Sequence, residues 1–132
     1  MGLDLKPGDP LPVLPLAAVS REQVLAYVTC AGDDNPIHVD EAAAGAAGLA
    51  GLVLPGMLIA AQFPRLLQLW KRNIRLTDIT VQFLAPLGID QAFVVTGKVV
   101  AIDRNGAAAI VRMTARAGTA NVAMAEARIV QE

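Results

Sequence analysis

The sequence predicts an α+β fold in which one antiparallel sheet curls around a single long helix. Three observations carry this reading. Residues 55–71 set Met57, Leu58, Ile59, Phe63, Leu66, Leu67, Leu69 and Trp70 on nearly every side of a helix, and a helix that is apolar all round is a buried one. Four strand-like runs follow it, at about residues 75–84, 93–102, 107–117 and 121–130. Before it lies an extended segment punctuated by Pro10, Pro12 and Pro15, and such a segment belongs at a sheet edge because proline cannot donate to a central ladder.

The elements follow in order. Lys6-Pro7-Gly8-Asp9 reads as a turn, and residues 11–19 as the edge strand. Ser20 and Gln23 form a capping box that starts a helix from Arg21 to about Thr29, with Val24 and Val28 on one face. Asp40 caps a short alanine-rich helix over residues 41–47, which Gly48 ends. Residues 51–54 link into the long helix, which spans roughly 25 Å and should kink one turn before Pro64. In the next run Ile79, Val81 and Phe83 alternate with Thr80 and Gln82, as in a half-buried strand. Asp103-Arg104-Asn105-Gly106 and Gly118-Thr119 are hairpin turns, so the four runs read as a meander.

At 132 residues the chain fits one domain, residues 1–132. It is 55% hydrophobic and 17% charged, which supplies a core and leaves an apolar surplus that points to an interface between subunits. A net charge of −1 argues against nucleic acid or an anionic membrane as partner. The single cysteine, Cys30, excludes an intrachain disulfide and suits a cytoplasmic setting. The start, Met1 to Lys6, lacks a signal-peptide layout, and Lys6 stands where a myristoylation site at Gly2 needs Ser or Thr. Apolar runs are broken before ~18 residues, so no membrane span is expected.

Polar chemistry is concentrated in one place. Residues 33–40 hold three carboxylates, an amide and the only histidine of the chain. Pro36 lies between Asp33 and His38 and disfavours helix for the residue before it, so a bent loop is expected that can turn both side chains into one cavity. A carboxylate and an imidazole there can hold a water between them and move its proton. Pro55-Gly56-Met57 opens the long helix. Its first free amide is that of Gly56, at the positive end of the helix dipole, where it can serve an oxyanion. Asp40 is read as a helix cap, Asp34 as solvated and Asn35 as a turn residue. Asp33, His38 and Asp40 as a metal site, and Cys30 as a nucleophile, are weaker readings of the same stretch. Arg65, Lys71, Arg72 and Arg75 form the one basic cluster, either a solvated helix end or a landing site for phosphates.

Residues Gly32 to His38 resemble the R-specific enoyl-CoA hydratases of the MaoC-like family, whose motif reads Gly-Asp-x-Asn-Pro-(apolar)-His, and they match it at every fixed position. Lys6 to Pro12 is similar to that family's N-terminal turn. Val81 to Pro86, with Gly88 and Asp90, is similar to its Arg-Phe-x-x-Pro segment, with Gln82 in place of the arginine. The family's usual His-Gly-Met at the helix start is Pro55-Gly56-Met57 here. The resemblance implies a hot-dog fold and a homodimer joined sheet edge to edge. It implies a hydro-lyase adding water to trans-2-enoyl thioesters to give R-3-hydroxyacyl thioesters, or the reverse. Asp33 and His38 would then be the catalytic pair, with Gly56 polarising the thioester carbonyl. Asn35, Met57, Arg65, Lys71 and Arg72 are the candidates for substrate contact. No metal or redox cofactor is implied, coenzyme A or phosphopantetheine being part of the substrate. A carrier-protein 3-hydroxyacyl dehydratase and an acyl-CoA-binding protein without turnover are the alternatives. A hot-dog thioesterase fits less well, for want of the Asn-Pro-x-His signature.

Overall fold

The structure, a computed structural model, describes Leu3 to Glu132, so the question of a modified Gly2 lies outside the described residues. One five-stranded antiparallel sheet has the order β1-β3-β4-β5-β2. Its strands are β1 (Leu14–Leu16), β2 (Ile74–Phe83), β3 (Phe93–Ile102), β4 (Ala108–Ala117) and β5 (Ala120–Gln131). The helices are α1 (Arg21–Ala31), α2 (Glu41–Ala46), α3 (Gly56–Ala60) and α4 (Gln62–Trp70). A single 3-10 turn, Pro36–His38, stands between α1 and α2.

The meander is confined to β3, β4 and β5. The first long strand, β2, does not join β3; it crosses to the far edge and pairs with β5, Ile74 opposite Gln131 and Phe83 opposite Ala123. Periodicity marks a strand but not its partner, and residues 84–92 are long enough to carry the chain around the sheet. The expected edge strand shrinks to the three residues of β1, paired with β3. Pro10, Pro12 and Pro15 remove donors that a longer regular strand would need. Residues 8–11 continue the contact irregularly, with a bridge from Pro10 to Lys98 and backbone bonds from the Gly8 and Leu11 amides to the Val99 and Gly97 carbonyls and from the Val99 amide to the Asp9 carbonyl. The tight turn Gly118-Thr119 is present, Ala117 facing Ala120, with Gly118 at φ +58, a value glycine adopts without strain.

The long helix is interrupted. Ala61 separates α3 from α4 while keeping helical angles, φ −62 and ψ −20. Pro64 has no N–H to offer the carbonyl of Ala60, and the ladder yields there, about one turn before the proline. The helix is not buried on all sides. Ile59, Ala60, Phe63, Leu66 and Leu67 face the sheet, while Met57 and Leu69 are exposed. Phe63 meets a concave wall made by alternate residues of the central strands: Val95 and Val99, Val111 and Met113, Ala125, Ala127 and Ile129. Alanines on β4 and β5 let the helix come close to the sheet. Burying a phenyl ring such as that of Phe63 stabilises by roughly 1.5–3 kcal/mol. Gly97 belongs to the same wall, since a β-carbon there would stand 2.8 Å from Met113 Cγ.

Candidate active site

The site is built where α1 ends. Gly32 takes φ +71 as the C-cap, and the amide of Asp33 donates to the Val28 carbonyl at 3.0 Å. This left-handed closure turns the chain sharply and brings Asp33 off the helix. Asp33 Oδ1 accepts from the Asn35 amide at 3.1 Å, and Asn35 Oδ1 accepts from the Ile37 amide at 3.3 Å. Asn35 thus caps the 3-10 turn that Pro36 begins and His38 ends, so its side-chain oxygen serves the loop. The segment expected as an irregular bend is locally helical because proline suits a first helical position.

The loop brings Asp33 and His38 together. Nε2 of His38 lies 3.4 Å from Asp33 Oδ2, with the histidine side chain buried and the aspartate one-third exposed. Behind the ring, Nδ1 of His38 lies 2.8 Å from the carbonyl oxygen of Val53. A carbonyl can only accept, so Nδ1 carries a hydrogen and donates it. In the neutral ring Nε2 is then an acceptor. Two acceptors, Nε2 and the Asp33 carboxylate, face each other across a gap too long for a direct bond. A water about 2.8 Å from each would give one hydrogen to each and turn its lone pair outward.

Val53 was not among the residues the sequence singled out. Its contribution is a backbone carbonyl, which no side-chain pattern announces. It is fixed from two sides: Val53 bridges Gly88, its amide reaches the Ile37 carbonyl at 3.4 Å, and Leu54 and Leu87 are hydrogen-bonded beside it. Two residues on, Pro55 is buried, and Gly56 after it opens α3 with an amide that has no acceptor among the described residues. Phe83, at the end of β2, lies against Gly56 so closely that a β-carbon would stand 3.0 Å from two ring carbons.

The other candidates lie apart. Asp40 caps α2 through the amides of Ala42 and Ala43, Asp34 is exposed, and Cys30 is exposed on the last turn of α1. Among the described residues no three His, Cys, Asp or Glu side chains gather into a metal-binding group. Met57 is exposed beside Gly56. Arg65 donates to Gln62 at 3.2 Å, Lys71 stacks 5.5 Å over the Trp70 ring, and Arg72 is exposed. Arg65 lies in the first half of α4, while Lys71 and Arg72 follow its far end, Lys71 roughly 22 Å along the helix from Gly56. A cavity of about 430 Å³ lies beyond the Leu52–Val53 segment and another of about 370 Å³ on the outer face of β2, β4 and β5. Neither is lined by Asp33 or His38, so the paired groups and not hollow volume identify the site. No helix among the described residues is long and apolar enough to cross a membrane.

Known proteins share this architecture. The (R)-hydratase from A. caviae involved in PHA biosynthesis superposes with a TM-score of 0.87 over 99% of this chain and 100% of its own, at 22% identity. A mitochondrial 3-hydroxyacyl-[acyl-carrier-protein] dehydratase of Solanum lycopersicum is 31% identical over 81 residues, 61% of this chain. A fatty acid synthase subunit beta of Gibberella zeae is 40% identical over 53 residues, 40% of this chain. The chain spans 49% of the tomato protein's length and 3% of the fungal subunit's. The sequence profile described as the MaoC like domain matches residues 5–123. With the curled sheet, the enclosed helix and that match over most of its length, this chain belongs to the MaoC-like dehydratase family.

Proposed function

We propose that the protein is a hydro-lyase that adds water to trans-2-enoyl thioesters to give R-3-hydroxyacyl thioesters, or runs the reverse dehydration. The observation that carries this is the Val53–His38–Asp33 arrangement, which leaves two acceptors 3.4 Å apart and ready for one water. His38 Nε2 takes one proton of that water as its oxygen bonds to C3. The C2=C3 electrons move toward the thioester carbonyl, whose oxygen is held by the Gly56 amide. The protonated ring, steadied by the Asp33 carboxylate, then returns its proton to C2. The thioester acidifies C2, so this chemistry calls for no metal or redox group, and coenzyme A or phosphopantetheine enters only as part of the substrate. Lys71 and Arg72, with Arg65, serve the phosphates of that carrier.

The working unit is a homodimer in the cytoplasm. Support comes from β2, which has a partner on one side only among the described strands. An open edge of ten residues invites a second strand. A carrier-protein dehydratase is the second reading, favoured by the similarity to the tomato 3-hydroxyacyl-[acyl-carrier-protein] dehydratase. Incubation with crotonyl-CoA and with crotonyl-carrier protein, followed at the enoyl absorbance, tests both. Loss of absorbance with either supports a hydratase, and the faster substrate identifies the carrier. No loss with both would leave an acyl-thioester-binding protein without turnover.

A further inference from the structure

Phe83 ends β2 with its ring packed on Gly56, so that a β-carbon there would stand 3.0 Å from two ring carbons and the ring would have to give way. The ring is nevertheless 51% exposed. It is not isolated. Seven large apolar side chains are exposed among the described residues, and four of them are Phe83 itself or chain neighbours of His38, Gly56 and Phe83. Val39 follows His38, Met57 follows Gly56, and Leu84 follows Phe83. Exposed apolar residues thus flank the site's own residues along the chain, as they do at many ligand sites.

We propose that Phe83 is a specificity-determining residue that excludes enoyl thioesters bearing a substituent on C2. The inference rests on the hydratase reading above. A thioester oxygen on the Gly56 amide puts the thioester unit beside Gly56, where the ring of Phe83 already occupies the space. The substituent on C2 lies in the plane of that unit, next to oxygen or next to sulfur according to the C1–C2 rotamer. It is therefore the part of the acyl group that meets the ring. The chain beyond C3 extends away and does not. Phe83 should discriminate on branching at C2 and be indifferent to chain length.

The test compares kcat/KM for crotonyl-CoA, trans-2-hexenoyl-CoA and trans-2-methylcrotonyl-CoA in the full chain and its Phe83→Ala and Phe83→Leu variants. Each ratio is independent of the fraction of active protein, so partial misfolding does not blur it. The branched-to-unbranched ratio should rise at least ~10-fold in Phe83→Ala, the scale on which a pocket senses one methyl-sized group. It should rise less in Phe83→Leu, which keeps apolar bulk if the alanine variant fails to fold. The hexenoyl-to-crotonyl ratio should stay unchanged. An unaltered branched-to-unbranched ratio in an enzyme active on crotonyl-CoA would overturn the role of Phe83 alone. A wild-type protein inactive on all three would overturn the hydratase reading and this inference with it.

Discussion

The hydrogen on Nδ1 of His38 points at the carbonyl oxygen of Val53, 2.8 Å away, and this one contact decides which face of the imidazole is free to work. As the only histidine in the chain, His38 gives an unambiguous nitrogen spectrum. The neutral ring should show Nδ1 protonated and Nε2 bare. The opposite tautomer, or an even mixture, would mean that Nε2 is not the proton acceptor.

Replacing either member of the pair should cut turnover by at least ~10²-fold, the usual scale for a positioned acid–base group. Stability should separate the two changes. Asp33→Asn leaves the His38–Val53 bond in place and should unfold at nearly the wild-type denaturant concentration. His38→Ala strips the Val53 carbonyl of its donor and should cost about 1–3 kcal/mol, the penalty for a buried group left unpaired. Turnover retained in Asp33→Asn would remove the carboxylate from the mechanism.

Light scattering at micromolar concentration should return twice the chain mass. Both edges of the sheet are strands, but β1 is three residues long and β2 ten, so β2 is the edge that needs covering. A monomer would contradict the proposed assembly.

Pro55→His restores the family's usual residue, but at a position that is buried and that caps α3 with φ −57. An imidazole placed there without a partner should lower stability by about 1–3 kcal/mol. Crowding beside Gly56 should also raise KM for crotonyl-CoA. Identical unfolding and identical kinetics across several acyl lengths would make Pro55 a neutral exchange.

Much of this was legible in the residues, and the gaps have physical causes. Ser20 and Gln23 do form their reciprocal capping bonds, at 3.2 and 2.9 Å, because such a box is a local contact. The Gly32–His38 loop could be located because glycine, asparagine and proline each have a local backbone preference. The position of β2 could not, because alternation in Ile79, Val81 and Phe83 says which face is buried and nothing about which strand lies alongside. Even the face was incomplete: Ile79 and Val81 are half-buried, while Phe83 emerges at the strand end. Met57 and Leu69 misled for a related reason, since an apolar side chain need not be buried within its own chain. Val53 acts through its backbone, and the Phe83–Gly56 contact joins residues 27 positions apart.

The strand order sets a schedule for folding. Among the described strands β2 has only β5 as a neighbour, and the amide of Glu132 still bonds the carbonyl of Asn73 at 2.9 Å. During synthesis, residues 74–83 emerge well before residues 120–131 exist to receive them. The β3–β4 hairpin can form in the interval, but β2 must wait with both edges open. Such a long-range pairing closes slowly and leaves the chain exposed to wrong partners meanwhile. A chain cut after Gly118 would keep the Asp33–His38 loop intact in sequence yet hold β2 with nothing to lie against. The strand β5 thus completes the sheet from between β4 and β2, and aggregation of the nascent chain should be greatest just before it arrives.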